Sequence, residues 1–397
     1  MMKHKFSIIG INDSRNQEFS RNVQNIIAEG RVFSGGKRHF EIVEEYLPKE
    51  YEWIDITVPL DNVFREYEGC EELVIFASGD PLFFGFANTV KNRIPDADIT
   101  VYPYFNSVQM LAHKFLLPYS SARIVSLTGR DWKLFDASLI RGEKMIGVLT
   151  DRHKTPVTIA RRMIEYGYTN YIMYVGEMMG NEHEERYRQF SIEEAANIKD
   201  LKHPNALILE RTEEINHPFG IPEDKFELLD GRTAMITKMP IRLLTLSMLE
   251  LENKSSFWDI GFCTGSVSIE AKLHFPELDV TSFEVREEGR RLMSENSKRF
   301  GTPGINTYIG DFMQAPLDEF PKPDAVFIGG HNGMLVDMMV RIADYIQPDG
   351  VIVFNSVSDN SHNLFLEGVL RADLKMVGET RIAVDSHNPI RILKARK

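Results

Sequence analysis

The segment FWDIGFCTGSVSIE, at 257–270, constrains this chain more than any other. An apolar run leads into Asp259, a turn bearing Gly261 and Gly265 follows, and a helix-forming stretch comes next. Glycine allows the tight turn and lets a ligand approach the backbone. The start of the helix offers unpaired N–H groups to an anionic or polar group. Glu284, at the end of the next apolar run, stands where an acid typically binds ribose hydroxyls. Asp311, in YIGDF after a third run, is placed to reach a base. Dinucleotide enzymes use similar turns, so a nicotinamide-dependent dehydrogenase is a competing reading. The leading acid in DIG and the missing third glycine favour S-adenosylmethionine, which carries a carboxylate and an ammonium where a dinucleotide has a pyrophosphate.

At 397 residues the chain suits two or three domains. Strands are expected at 6–11, 73–78, 124–127, 145–150, 171–176 and 206–210, with an amphipathic helix at 156–166 whose proline sits just inside its start. The polar stretch 211–230 carries two prolines and no sustained period. It separates a domain at 1–212 from one at 233–397, with 213–232 as the linker. Beyond it, helices are expected at 241–250, 266–275 and 286–300. Strands are expected at 257–261, 280–285, 307–309, 325–328 and 351–355, with two more in 376–397. Both halves alternate strand and helix, which means α/β architecture.

A formal charge of -12 weighs against nucleic-acid or membrane-surface partners, which require a basic field. The two cysteines lie far apart, so no disulfide framework is expected. The 11 histidines form no ligand-spaced cluster, and no bound metal is expected. No signal peptide or membrane-length apolar run is visible, which points to the cytoplasm.

The first half carries its own strand-end motif. In VIFASGDPLFFG, Ser78 and Gly79 admit a ligand against the backbone, Asp80 accepts hydrogen bonds, and Pro81 ends strand pairing. SGGKRHF (34–40) sets two glycines beside Lys37, Arg38 and His39, and VSLTGR (125–130) ends in Gly129 and Arg130. His39 reads as a capped loop residue, and Phe83, Phe84 and Phe86 read as core. Arg286, Arg290 and Arg291 read as the polar face of a helix. With no base visible nearby, Cys263 reads as a packed turn residue.

These segments carry two resemblances. Residues 220–397, through GIPEDKF, TKMPIRLLTLSMLEL, DIGFCTGSVSIEA, PDAVFIGG and GVIVFNSV, resemble the decarboxylating corrin methyltransferase module of cobalamin biosynthesis. Residues 4–211 resemble the tetrapyrrole methylase family in its carbon-5 corrin methyltransferase branch, through SGGKRHF, SGDP, VSLTGR, VLTDRHKTPVTIARRMIEYG and YVGEMMGNEHEERYRQFSIEE. The resemblance implies a two-subdomain tetrapyrrole methylase fold followed by a Rossmann-like methyltransferase fold. It implies S-adenosylmethionine as cofactor, S-adenosylhomocysteine as product, and a precorrin or cobalt-precorrin as substrate. Methylation at carbon-5 and carbon-15, decarboxylation of the carbon-12 acetate and self-association through the C-terminal module are also implied, with the alternative that one module is only a scaffold. The implied cofactor contacts are Gly10, Ser78, Gly79, Asp80, Ser107 and Gly129 in the first module, and Asp259, Gly261, Gly265, Glu284 and Asp311 in the second.

Two departures stand out. Cys263 occupies the middle position of the Gly-x-Gly-x-Gly turn, and Tyr104 replaces a pocket glycine in Pro103–Ser107. The opening loop, Gly10-Ile11-Asn12-Asp13, keeps one glycine. The implied reaction needs no catalytic triad, because a sulfonium is an activated donor and positioning with desolvation does most of the work. A substrate with many carboxylates calls for cations. Lys37, Arg38, Arg130, Lys238 and Arg242 are the candidates, with Arg38, Arg130 and Lys238 favoured because each sits within a motif, although a solvated surface charge is the ordinary role of such residues.

Overall fold

The computed structural model describes residues 4–384 and 389–397. The chain divides into two compact units, one formed by 1–130, 144–161 and 170–212, the other by 131–143, 162–169 and 213–397.

The first unit holds two five-stranded sheets. Strands β1 (Lys5–Ile11), β2 (Val32–Gly35), β3 (Glu52–Asp55), β4 (Glu72–Ser78) and β5 (Asp98–Tyr102) are all parallel, in the order β3-β2-β4-β1-β5. The β1–β4 register sets Gly10 opposite Ala77 and Ile11 opposite Ser78. Both strands therefore end together, and their end loops share one edge of the sheet. The second sheet comprises β6 (Arg123–Ser126), β7 (Met145–Leu149), β8 (Tyr171–Glu177), β9 (Arg186–Ser191) and β10 (Asn205–Arg211), in the order β6-β7-β10-β8-β9. Only its β6–β7 pair is parallel.

The sequence leaves β2, β3, β5 and β9 unannounced. The first two are four residues long, too short for a period to emerge. In β9, RYRQFS, no position is fully buried, so its pattern is polar.

The second unit is built on a seven-stranded sheet. Its strands are β11 (Ser256–Ile260), β12 (Asp279–Glu284), β13 (Ile305–Ile309), β14 (Ala325–Ile328), β15 (Val351–Ser356), β16 (Lys375–Ile382) and β17 (Ile390–Arg396), ordered β13-β12-β11-β14-β15-β17-β16. The first five are parallel, while β17 runs antiparallel between β15 and β16. The parallel strands are wrapped on both faces, as crossover helices require. All five positions of β11 are buried, and the Trp258 indole donates to the Pro321 carbonyl at 3.0 Å. This is a Rossmann-like α/β fold with a reversed seventh strand. The reversed strand departs from the dinucleotide order and tells against the dehydrogenase reading.

The stretch expected to be a polar linker is only partly one. Ile221, Phe226 and Leu229 are buried, and Phe226 packs on Phe300 at 4.7 Å between ring centroids. Among the described residues, no helix is long and apolar enough to cross a membrane. No group of three or more His, Cys, Asp or Glu among them is placed to hold a metal.

Candidate functional site

A cavity of about 640 Å³ opens at the carboxyl ends of β11, β12 and β14, where open α/β sheets bind ligands. Asp259, Gly261, Cys263, Glu284 and Asp311 all line it. Gly261 has φ +77°, and a Cβ there would lie 2.6 Å from the Gly330 nitrogen. The β11 turn and the β14 end thus meet backbone to backbone, and only glycine fits. Gly265, with φ +76°, starts the helix Ser266–His274 and lies against Met293, off the cavity wall.

The side chains around this turn are bound together. Glu284 accepts the Cys263 N–H at 2.9 Å on Oε2 and the Arg286 N–H at 3.0 Å on Oε1, while the Arg286 guanidinium reaches both oxygens at 3.3 Å. Arg286 therefore belongs to the site, and the expectation of a mere helix face is corrected: it precedes the helix Glu288–Arg299 and lines the cavity. A ribose on Glu284 has to share its oxygens with this arginine. Asp311 uses Oδ1 to accept the Met313 N–H at 2.9 Å.

Asp259 is fully buried and accepts from Ser268 Oγ at 2.5 Å on Oδ2, while its Oδ1 has no hydrogen-bond partner. Burial, helped by repulsion from Glu284, pushes its carboxyl up to about 7. A cation beside Oδ1 would favour ionisation. Cys263 adopts φ +52°, the left-handed conformation a glycine would take there, and its thiol donates to the Met235 carbonyl at 3.2 Å. The departure from the glycine pattern thus ties the turn to Met235, and both residues line the cavity.

Of the two expected substrate cations here, Lys238 lines the cavity. Arg242 does not, which corrects the expectation. It is fully buried, ion-paired to Glu270, and donates to the Thr237 and Ile221 carbonyls, with Phe226 stacked 5.1 Å away. Its position on the buried face of the helix Met239–Leu249 decides this. The cavity also includes His331, Asn332 and Asn355, which the sequence reading did not single out. The glycine pair ending β14 was the signal for His331 and Asn332; Asn355, inside β15, had none. His331 Nδ1 accepts the Gly333 N–H at 3.1 Å, and burial lowers its pKa, so the ring is a neutral Nε2–H donor.

In the first unit, the ends of β1 and β4 bring the expected residues together. A Cβ on Gly10 would lie 2.0 Å from the Gly79 carbonyl oxygen and 2.7 Å from the Tyr104 nitrogen. Gly79, at φ +60°, donates to the Ile11 carbonyl at 2.7 Å and accepts from the Tyr104 N–H at 3.3 Å. Asp80 accepts the Leu82 N–H at 2.9 Å, which shapes the turn before Phe83. The Tyr104 hydroxyl accepts from Asn12 at 3.2 Å, so two departures from the family pattern are coupled to each other.

Ser107 is the first residue of the helix Ser107–Lys114, and Asn106 caps it reciprocally with Gln109. A Cβ on Gly79 would lie 3.1 Å from Asn106 Cα, so Asn106 is the residue facing this turn. Its N-x-x-Q spacing is the signal that marks it. Gly129, at φ +63° with its Cα side open, donates to Asp151 at 3.1 Å. Arg130 stacks over the half-exposed Phe84 ring at 5.0 Å, which takes Phe84 out of the expected core. Arg38 ion-pairs with the buried Asp13 at 3.4 Å and donates to Ser78 Oγ at 2.9 Å.

Both units thus close the carboxyl ends of their strands with turns in which glycine backbone packs on backbone. Residues 229–395 match the family described as precorrin methyltransferase domain. A precorrin-6Y C(5,15)-methyltransferase [decarboxylating] of Sinorhizobium is 29% identical over 96% of this chain and 90% of its own length. A cobalt-precorrin-6B C(15)-methyltransferase (decarboxylating) of Salmonella typhimurium is 39% identical over 34% of this chain and 69% of its own. Among solved structures, a precorrin-6y C5,15-methyltransferase of Geobacter metallireducens is 29% identical, covering 46% of this chain and 100% of that one, with a TM-score of 0.41. The chain belongs to the decarboxylating precorrin methyltransferase family.

Proposed function

We propose that this chain is a bifunctional S-adenosylmethionine-dependent C-methyltransferase of corrin-ring biosynthesis. It methylates precorrin-6Y or the cobalt-containing equivalent at carbon-5 and carbon-15 and decarboxylates the carbon-12 acetate. The observation that carries the reading is likeness to a two-activity relative along 96% of the chain. Residues 1–212 form the carbon-5 module and 233–397 the carbon-15 and decarboxylating module. Self-association through the C-terminal module and a cytoplasmic location complete the reading.

The residues of the second cavity fit the cofactor. The tight Gly261–Gly330 backbone contact fixes the cavity wall, and Asp259, which lines it, keeps Oδ1 as a buried acceptor without a partner. The turn from Gly261 to Thr264, which lines the cavity, would hold the amino-acid end, Glu284 the ribose and Asp311 the base. In the first module, Gly10, Gly79, Asp80, Ser107 and Gly129 would do this work. When bound, the cofactor supplies an electrophilic methyl group on a sulfonium.

The chain's own task is to orient the substrate and keep water out. Phe312, Met334 and Met338 give the cavity apolar walls, and Lys238 offset carboxylate charge at its edge, as Arg38 and Arg130 do in the first module. The electron-rich ring is the carbon nucleophile. The same conjugated ring accepts the electron pair left when carbon dioxide departs, so no side-chain nucleophile is required.

Incubation of the purified chain with the tetrapyrrole and methyl donor, followed by mass spectrometry, tests the reading. Two methyl gains with loss of carbon dioxide are expected. One methyl gain without decarboxylation would confine activity to the first module.

A further inference from the structure

His39 was expected to be a capped loop residue, and the structure gives it a second partner. Its Nδ1 accepts the Gly36 N–H at 3.2 Å. A backbone N–H can only donate, so the neutral ring carries its proton on Nε2. That Nε2 lies 2.9 Å from Ser78 Oγ and donates to it. Burial, with the Arg38 charge beside it, lowers the imidazole pKa to about 4, so this tautomer persists at neutral pH. The Arg38 Nη2 donates to the same oxygen at 2.9 Å. A serine oxygen has two lone pairs and one proton. Both lone pairs are taken, and no acceptor among the described residues takes the proton. The side chain is exposed at the end of β4, beside Gly79.

Arg38 is oriented by the same set. The buried Asp13 holds its Nε side, Ser78 holds Nη2, and Nη1 has no partner among the described residues. Asp13 offsets part of the charge, so the notch recognises an anion by directed donors rather than by net charge.

We infer that His39 is a positioning residue that makes Ser78 an obligate hydrogen-bond donor, and that Ser78 and Arg38 Nη1 together bind a carboxylate side chain of the tetrapyrrole during carbon-5 methylation. This rests on the proposed function and moves Ser78 from the cofactor to the substrate.

The test uses the full chain with Ser78→Ala, His39→Leu and His39→Gln. Carbon-5 methyl gain is followed by mass spectrometry at varied tetrapyrrole concentration, and S-adenosylhomocysteine binding by calorimetry. Loss of a hydrogen bond to a charged group raises KM for the tetrapyrrole about tenfold or more in S78A. H39L does the same, H39Q restores most of it because its amide still donates, and S-adenosylhomocysteine affinity is unchanged in all three. Unchanged S-adenosylhomocysteine affinity at the first-unit site reports that each variant's first unit has folded. Weakened S-adenosylhomocysteine binding in S78A with an unchanged tetrapyrrole KM overturns the inference, as does H39Q behaving like H39L. A wild-type chain that methylates no tetrapyrrole overturns the proposed function instead.

Discussion

The two sites solve the same problem with different materials. The second is cut into the parallel strands of one sheet, and its wall is largely backbone: Gly261 faces Gly330, and buried acids stand behind the turn. The first is assembled from end loops, and side chains hold it together: Arg38 and His39 on Ser78, Asn12 on Tyr104, Asp151 on Gly129. A backbone-walled site tolerates few changes at its glycines but absorbs a side chain that finds its own hydrogen-bond partner. A side-chain-held site can drift at its glycines when a neighbour changes with them. Cys263 and the Asn12–Tyr104 pair are the two outcomes in this chain.

The largest test of the contrast uses two arginines that the sequence made equivalent. Arg242→Ala leaves the buried Glu270 with only His274, 3.9 Å away, and breaking such a pair costs ~3–5 kcal/mol. Arg130→Ala removes an exposed stacking contact on Phe84, for about 0.5–1 kcal/mol. Denaturant midpoints of the two variants should differ accordingly. Equal losses would mean that burial does not separate these residues.

Next come the glycine walls. Gly10→Ala drives a Cβ to 2.0 Å from the Gly79 oxygen, and Gly261→Ala drives one to 2.6 Å from the Gly330 nitrogen. Overpacking of this kind costs about 1–3 kcal/mol or more, and the positive φ at Gly261 adds strain. Each variant should remove one S-adenosylhomocysteine site by calorimetry and leave the other. Loss of both sites from either change would show that the modules do not bind cofactor independently.

These positions show what a sequence can and cannot display. The parallel core strands of the second unit were legible because an apolar run buried on both faces is written in composition alone. The glycines were legible because backbone contact leaves only one residue type. Arg242 was misread because a cation inside a motif looks the same whether its helix turns it inward or outward. His331 and Asn355 were missed because only the pairing of β14 with β15 sets their strand ends side by side at the cavity. His39 was seen but assigned the plainer role, since its pairing with Ser78 depends on how β2 and β4 align. Short β2 and polar β9 failed for want of a period.

A smaller effect, visible through pH, distinguishes the buried acid of the second site. Asp259 sits at about 7 because burial disfavours its charge. Its folded value lies above its unfolded one near 3.9. The stability it contributes is complete below the unfolded value and is lost as pH rises through about 7. Asp259→Asn should flatten the decline in melting temperature between about pH 4 and 7, because the amide oxygen can still accept from Ser268. Wild-type affinity for S-adenosylhomocysteine at this site should rise over the same range if Oδ1 receives the ammonium. A pH-independent affinity would remove Asp259 from the contact.

The smallest effect belongs to Cys263, and it probes the comparison most closely. At φ +52° a non-glycine residue carries roughly 1–2 kcal/mol of strain. Cys263→Gly relieves it, but the freer unfolded chain takes back about 0.4–1 kcal/mol, and the thiol bond to the Met235 carbonyl is lost. The melting temperature should therefore barely move. What changes is the tether on 234–238, a stretch that lines the cavity on the Lys238 side. Cys263→Gly should raise backbone hydrogen exchange around Met235 while the Cys263–Glu284 contact, made by the backbone N–H, keeps cofactor affinity within about twofold. If affinity falls tenfold instead, the side chain and not the backbone holds the second cradle, and the contrast between the two sites fails at the residue that departs from the glycine pattern.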